Sequence, residues 1–162
     1  MVTFIPANRE AKSATLTLTY TTATGPAPVT ATLTGQGTQP VIALSPPDTL
    51  RFGEVQTGQS KVAVLTVRNT GTDTLRVSGV SSADGAFTAA LTSFSVLPGA
   101  SREVEVRFAP TAVGMRLATL AITHNASRSP TTIPLSGSGI LPLVTVSINP
   151  TTLGFGNVRV GQ

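Results

Sequence analysis

A chain of 162 residues with 40% hydrophobic and 11% charged residues can bury a core, and it leaves room for one ordinary domain plus fragments of others. No cysteine is present, which excludes disulfides, thiolate metal sites and thiol catalysis together. The formal charge of +4 comes from basic residues spread singly, with few aromatics between them, so no phosphate-tracking stripe forms and no nucleic-acid partner is expected.

In chain order, MVTFIPANRE lacks a basic region followed by an apolar stretch, so it does not read as a signal peptide. No segment approaches 18 continuous apolar residues, so no membrane insertion is expected. Next, Ala14, Leu16 and Leu18 alternate with Thr15, Thr17 and Thr19, which predicts a strand with one apolar face. After PVTATLTGQG comes a short linker, Gly37-Thr38-Gln39-Pro40, whose proline favours an extended, semi-rigid joint. TLRFGEVQTGQ, Thr49 to Gln59, then opens a new run of strands. Ala63, Leu65 and Val67 supply an inward set, and Leu75 with Val77 another.

Asn69-Thr70-Gly71-Thr72-Asp73 reads as a tight turn joining two strands, with Asn and Gly available for positive φ. Ala83-Asp84-Gly85 and Leu97-Pro98-Gly99 are further predicted turns. Val104, Val106 and Phe108 alternate with Glu103, Glu105 and Arg107, and Pro110 should end that strand. Ala118, Leu120 and Ile122 share the next apolar face. His124 follows and is expected on a surface loop, because no carboxylates lie near it in sequence to build a metal site. Gly35-Gln36-Gly37 and Gly137-Ser138-Gly139 have no helix after them to cradle phosphate and read as unit-ending turns. A second linker, Gly139-Ile140-Leu141-Pro142, precedes TLGFGNVRVGQ, Thr152 to Gln162.

That last segment nearly copies Thr49–Gln59, and Phe52 and Phe155 are 103 positions apart, as are Gly53 and Gly156. Pro47 of SPPDTL matches Pro150 of INPTTL, and Gln59 matches Gln162, at the same spacing. VTFIPANREAKSATLTLTY resembles VRFAPTAVGMRLATLAITH, aligning Phe4 with Phe108, and PVTATLTGQG resembles PTTIPLSGSG, aligning Gly37 with Gly139. The chain therefore divides into the closing part of one unit, 1–40, a complete unit, 41–140, and the opening strands of a third, 141–162. Seven or so strands in about 100 residues, with turns every 8–12, predict an all-β fold: an immunoglobulin-like antiparallel two-sheet sandwich, once complete and flanked by partial units of a tandem repeat.

The ordered motifs Leu50-Arg51-Phe52-Gly53-Glu54-Val55, Val67-Arg68-Asn69-Thr70-Gly71, Leu97-Pro98-Gly99, Val106-Arg107-Phe108-Ala109-Pro110 with Gly114, and Ile133 to Gly139 resemble the abnormal-spindle/Hydin-like domain and the bacterial modules labelled choice-of-anchor D. The resemblance covers the complete unit and both partial ones. It implies a sandwich related to major sperm protein and PapD-type chaperones, and scaffolding or interaction modules rather than enzymes. Eukaryotic members occur in ciliary and centrosomal proteins, bacterial ones in long secreted or surface proteins. One departure is Glu10, where the complete unit has Gly114. A positive φ there would strain Glu10, so the loop differs or the conformation is permissive.

For function, no cofactor, metal or catalytic residue is expected. Asp48, Asp73 and Asp84 lie singly in turns without calcium-site spacing, and Asn125-Ala126-Ser127 fits a glycosylation sequon that matters only in a secretory host. The candidate site is a strand-sharing edge formed by Phe52, Gly53 and Val55 and, in the last copy, Phe155, Gly156 and Val158. The plainer reading of that segment, an edge strand paired only within its own domain, is preferred. The expected partners are neighbouring units of the same or an identical chain, up to a homopolymer. The expected setting is a multi-domain bacterial protein at the cell surface or outside the cell, as part of a filament or adhesin. The alternative is an intracellular scaffold binding a peptide or a cytoskeletal partner.

Overall fold

The computed structural model describes the whole chain except Thr145, Pro150, Val158 and Gln162. It is all-β, with no helix among the described residues. The first two strands, β1 (Ala11–Thr22) and β2 (Gly25–Gln36), form an antiparallel two-stranded sheet of their own. The remaining nine are β3 (Ile42–Ser45), β4 (Leu50–Gln56), β5 (Lys61–Asn69), β6 (Leu75–Ser82), β7 (Phe87–Ala89), β8 (Phe94–Val96), β9 (Ser101–Phe108), β10 (Gly114–His124) and β11 (Thr131–Ile140). They make a five-stranded sheet ordered β4-β11-β10-β6-β8 and a four-stranded sheet ordered β3-β5-β9-β7.

Period-2 alternation closes one sheet over the other. Leu65 and Val67 of β5 and Val104, Val106 and Phe108 of β9 point inward, meeting Leu120, Ile122, Ile133 and Leu135 from the facing sheet. Three rings tie the sheets together. Phe52 of β4 lies 5.4 Å from Phe87 and 5.6 Å from Phe108, and Phe87 stacks on Phe108 at 4.6 Å. The result is an immunoglobulin-like sandwich with one continuous aliphatic core and an aromatic knot.

Several expectations need correction. The sheets are not purely antiparallel: β4 pairs parallel with β11. The segment from Asn69 to Asp73 does not join adjacent strands, because β5 and β6 belong to different sheets. It is a corner that carries the chain across the core, and neither Asn69 nor Gly71 has positive φ. Gly137, Ser138 and Gly139 are not a turn but the last rungs of β11. Glycine is required there by close approach: a Cβ on Gly137 would lie 2.5 Å from Cε1 of Phe108. Gly114 does have positive φ, 120°, whereas Glu10 does not, so the two loops differ. Glu10 instead bonds to Asn8 and Lys12.

The β1–β2 sheet repeats the geometry of the β10–β11 pair. Lys12 faces Gly35 as Arg116 faces Gly137, and Leu16 faces Ala31 as Leu120 faces Ile133. The Phe4 ring lies over Gly35 as Phe108 lies over Gly137, and the Asn8 carbonyl lies over Gly37 as that of Ala112 lies over Gly139. What differs is the covering. Leu120, Ile122, Ile133 and Leu135 are buried, while Leu18, Tyr20 and Val29 of the first sheet are more than half exposed.

Candidate functional site

The opening strand β4 is the terminal strand of the five-stranded sheet, and among the described residues β11 is its one ladder partner. Its register with β11 slips between Arg51 and Gly53, so Phe52 has no partner in the ladder and turns into the core as a bulge. Gly53 makes this possible with a φ of 68°, a conformation in which a Cβ would be strained although space is available. Val55 is buried as well, which leaves Arg51 and Glu54 facing solvent. The side chains named for strand sharing therefore point inward here, and what the strand offers outward is backbone. In the C-terminal copy Gly156 has a similar φ of 64°, yet Phe155 is 83% exposed and lies in no strand. Val158 lies outside the described residues. Among the described residues the two segments share no ladder.

His124 is not a surface loop residue. It ends β10 in the inward phase of Leu120 and Ile122 and is 7% exposed. Its Nδ1 accepts a hydrogen bond from the Ala126 N–H (3.1 Å), which leaves the Nε2 proton for Thr131 Oγ1 (2.8 Å). Burial holds the imidazole below its ordinary 6.5, and the neutral ring is the form this network fits. The next residue is also committed. Asn125 Oδ1 accepts from the Arg76 N–H and its Nδ2 donates to the Thr74 carbonyl, pinning the start of β6. With both amide atoms so engaged, the sequon asparagine is an edge fastener.

Sequence reasoning missed Asn69. Its side chain is fully buried at the corner after β5 and makes four hydrogen bonds. Nδ2 donates to the carbonyls of Asp73 (2.7 Å) and Val96 (3.0 Å). Oδ1 accepts from the N–H groups of Gly71 (3.0 Å) and Val41 (3.3 Å). One amide thus joins the corner, the β8 strand and the incoming chain. A signal was present in the alternation: Ala63, Leu65, Val67 and Asn69 occupy one phase, so the asparagine had to be inward.

Among the described residues no group of three His, Asp or Glu could hold a metal ion together. An open groove runs beside β3, lined by Val41, Leu44, Pro47 and Arg128, and among the described residues no pair of titratable groups converges in it. What the surface offers is backbone at sheet edges and a polar corner that grips chain, which is the chemistry of association.

The comparisons agree in fold. The family described as Cep192 domain 4 matches residues 41–140. Among solved structures, the ASH / PapD-like domain of human CEP192 (PapD-like domain 7) is similar with a TM-score of 0.54 at 16% identity, over 63% of this chain and 87% of that one. A protein of unknown function from Porphyromonas gingivalis W83 is similar with a TM-score of 0.55 at 20% identity, over 82% of this chain and 67% of that one. At such identities the likeness is one of fold. No curated protein matches the chain. With the matched segment spanning all nine strands of the sandwich, from β3 to β11, the chain belongs to the Cep192 domain 4 family.

Proposed function

We propose that this protein is a non-catalytic structural and interaction module, a stretch of a tandem array in which immunoglobulin-like units space or scaffold other parts of a longer protein. The observation that carries this reading is the β1–β2 sheet. It repeats the register and glycine contacts of β10–β11, yet among the described residues no sheet lies over its apolar face. A face built for a core implies a unit to complete it, and the partner is another copy of the same architecture.

The finer reading places the array among abnormal-spindle/Hydin-like, choice-of-anchor D modules at a bacterial cell surface or outside the cell, in a filament or adhesin. The Ser/Thr/Ala-rich, lysine-poor, cysteine-free composition supports it. A second reading, an intracellular scaffold that docks a peptide or cytoskeletal partner, is favoured by the Cep192 domain 4 match.

Tyr20, the single tyrosine, reports on the array directly. It stands where His124 stands in the complete unit and is 54% exposed, against 7% for His124. Fusing a copy of residues 41–104 ahead of Met1 supplies the strands that precede β10 in the complete unit. Acrylamide quenching of Tyr20 fluorescence is then expected to fall severalfold, with a second cooperative unfolding transition. Tyr20 remaining as accessible as in the parent chain would overturn the reading.

A further inference from the structure

We propose that the corner between β5 and β6 is a receptor for the chain leaving a neighbouring unit, and that it fixes the orientation of successive units by leaving no free residue between them. This rests on the tandem reading and goes beyond it, since an array can equally be a string of loosely hinged beads.

The corner grips backbone. The Gln39 carbonyl accepts from the N–H groups of Thr72 (2.9 Å) and Asp73 (3.3 Å), and the Gln39 N–H donates to Thr72 Oγ1 (3.3 Å). Two residues on, the Val41 carbonyl accepts from the Thr70 N–H (2.9 Å) and the Val41 N–H donates to Asn69 Oδ1 (3.3 Å). Between these rungs Pro40 is buried. Gly71 lies directly against this segment: a Cβ there would overlap the Gln39 carbonyl and come within 2.8 Å of the Pro40 carbonyl carbon. No side chain of the incoming segment takes part in these hydrogen bonds. The ligand class is an extended backbone with proline at its centre, which lacks an N–H to leave unsatisfied.

The other side of the joint is held too. β2 ends at Gln36, and Gly37 is buried beneath the Asn8 carbonyl, which leaves Thr38 alone between strand and clamp. In the complete unit the counterpart of Thr38 is Ile140. That residue pairs with Gln56 in the β4–β11 ladder, and its carbonyl accepts from the Thr57 N–H (2.9 Å). The next two residues are Leu141 and Pro142, matching Gln39 and Pro40. When the preceding unit is complete, its ladder therefore holds the chain through one residue and the next unit's corner holds it from the following one. A swivel needs free φ/ψ pairs, and a joint completed in this way has none to give.

The absence of cysteine allows two unique spin labels, on Thr34→Cys in β2 and Glu103→Cys on the outer face of β9. Electron–electron double resonance is read on the chain carrying the added copy of residues 41–104 ahead of Met1, which supplies the opening strand that Thr38 lacks. Glu103→Cys is made only in the original unit, and one narrow distance distribution is expected. Gly71→Ala is expected to widen it. Because that variant also perturbs the sandwich, a second one inserts two glycines between Thr38 and Gln39, leaving the clamp and core intact; it is expected to widen the distribution by at least about twofold. A broad distribution in the fused chain, or a width unchanged by the insertion, would overturn the proposal. Either result leaves the Tyr20 outcome untouched, so failure of the joint is distinguishable from failure of the array.

Discussion

Phe108→Ala is expected to destabilise the sandwich by about 3–5 kcal/mol, whereas Phe4→Ala, its counterpart one repeat earlier, is expected to change sandwich stability by less than about 1 kcal/mol. The two rings have the same local role, each lying over a strand glycine, Gly137 or Gly35. Their surroundings decide the difference. Phe108 is fully buried and stacked on Phe87, with Phe52 of the opposite sheet closing the third side. Removing it opens a cavity between two sheets that are held apart by their own ladders and relax little. Phe4 is half exposed and, among the described residues, pairs with no other ring. Urea denaturation of both variants measures the contrast, and equal losses would show that the first sheet already contributes to a core.

Asn69→Ala is the second large effect, expected at about 2–4 kcal/mol. Alanine would leave the Asp73 and Val96 carbonyls and the Gly71 and Val41 N–H groups without the partner they have now. The site is fully buried, so water does not replace the amide without opening the corner. Asn69→Asp is expected to fall in the same range, because it keeps the acceptor but sets a carboxylate oxygen against two carbonyls. The same denaturation experiment checks both variants. A loss below about 0.5 kcal/mol for the alanine variant would mean that the corner is held by its backbone bonds alone.

Alternation made the sandwich legible in the sequence. The inward phases of β5, β9 and β10 were readable from Leu65, Val104 and Leu120 because each strand wets one face and buries the other. The parallel pairing of β4 was not readable, since periodicity assigns faces and is silent on neighbours. The polar and glycine exceptions were misread for a shared reason. Asn69, His124, Gly137 and Gly139 all carry typical turn or loop residue types, and all continue an inward phase: after Val67, after Ile122 and after Leu135. Phase outranked residue type at each of them. What the inward position demanded, a fourfold amide bond, a neutral imidazole or room for a ring, came from residues distant in sequence. The strand-sharing site was legible only as a position at a sheet edge. That Phe52 is the bulge residue depends on the Gly53 conformation and on a register slip seen only against β11.

The central claim is that one hairpin geometry occurs twice in this chain, once sealed into a core and once bare. Amide hydrogen exchange in the intact chain tests it most directly. The account predicts that β10 and β11 amides exchange at least about a hundredfold more slowly than those of β1 and β2, despite the same ladder register. Equal protection of the two hairpins would contradict it.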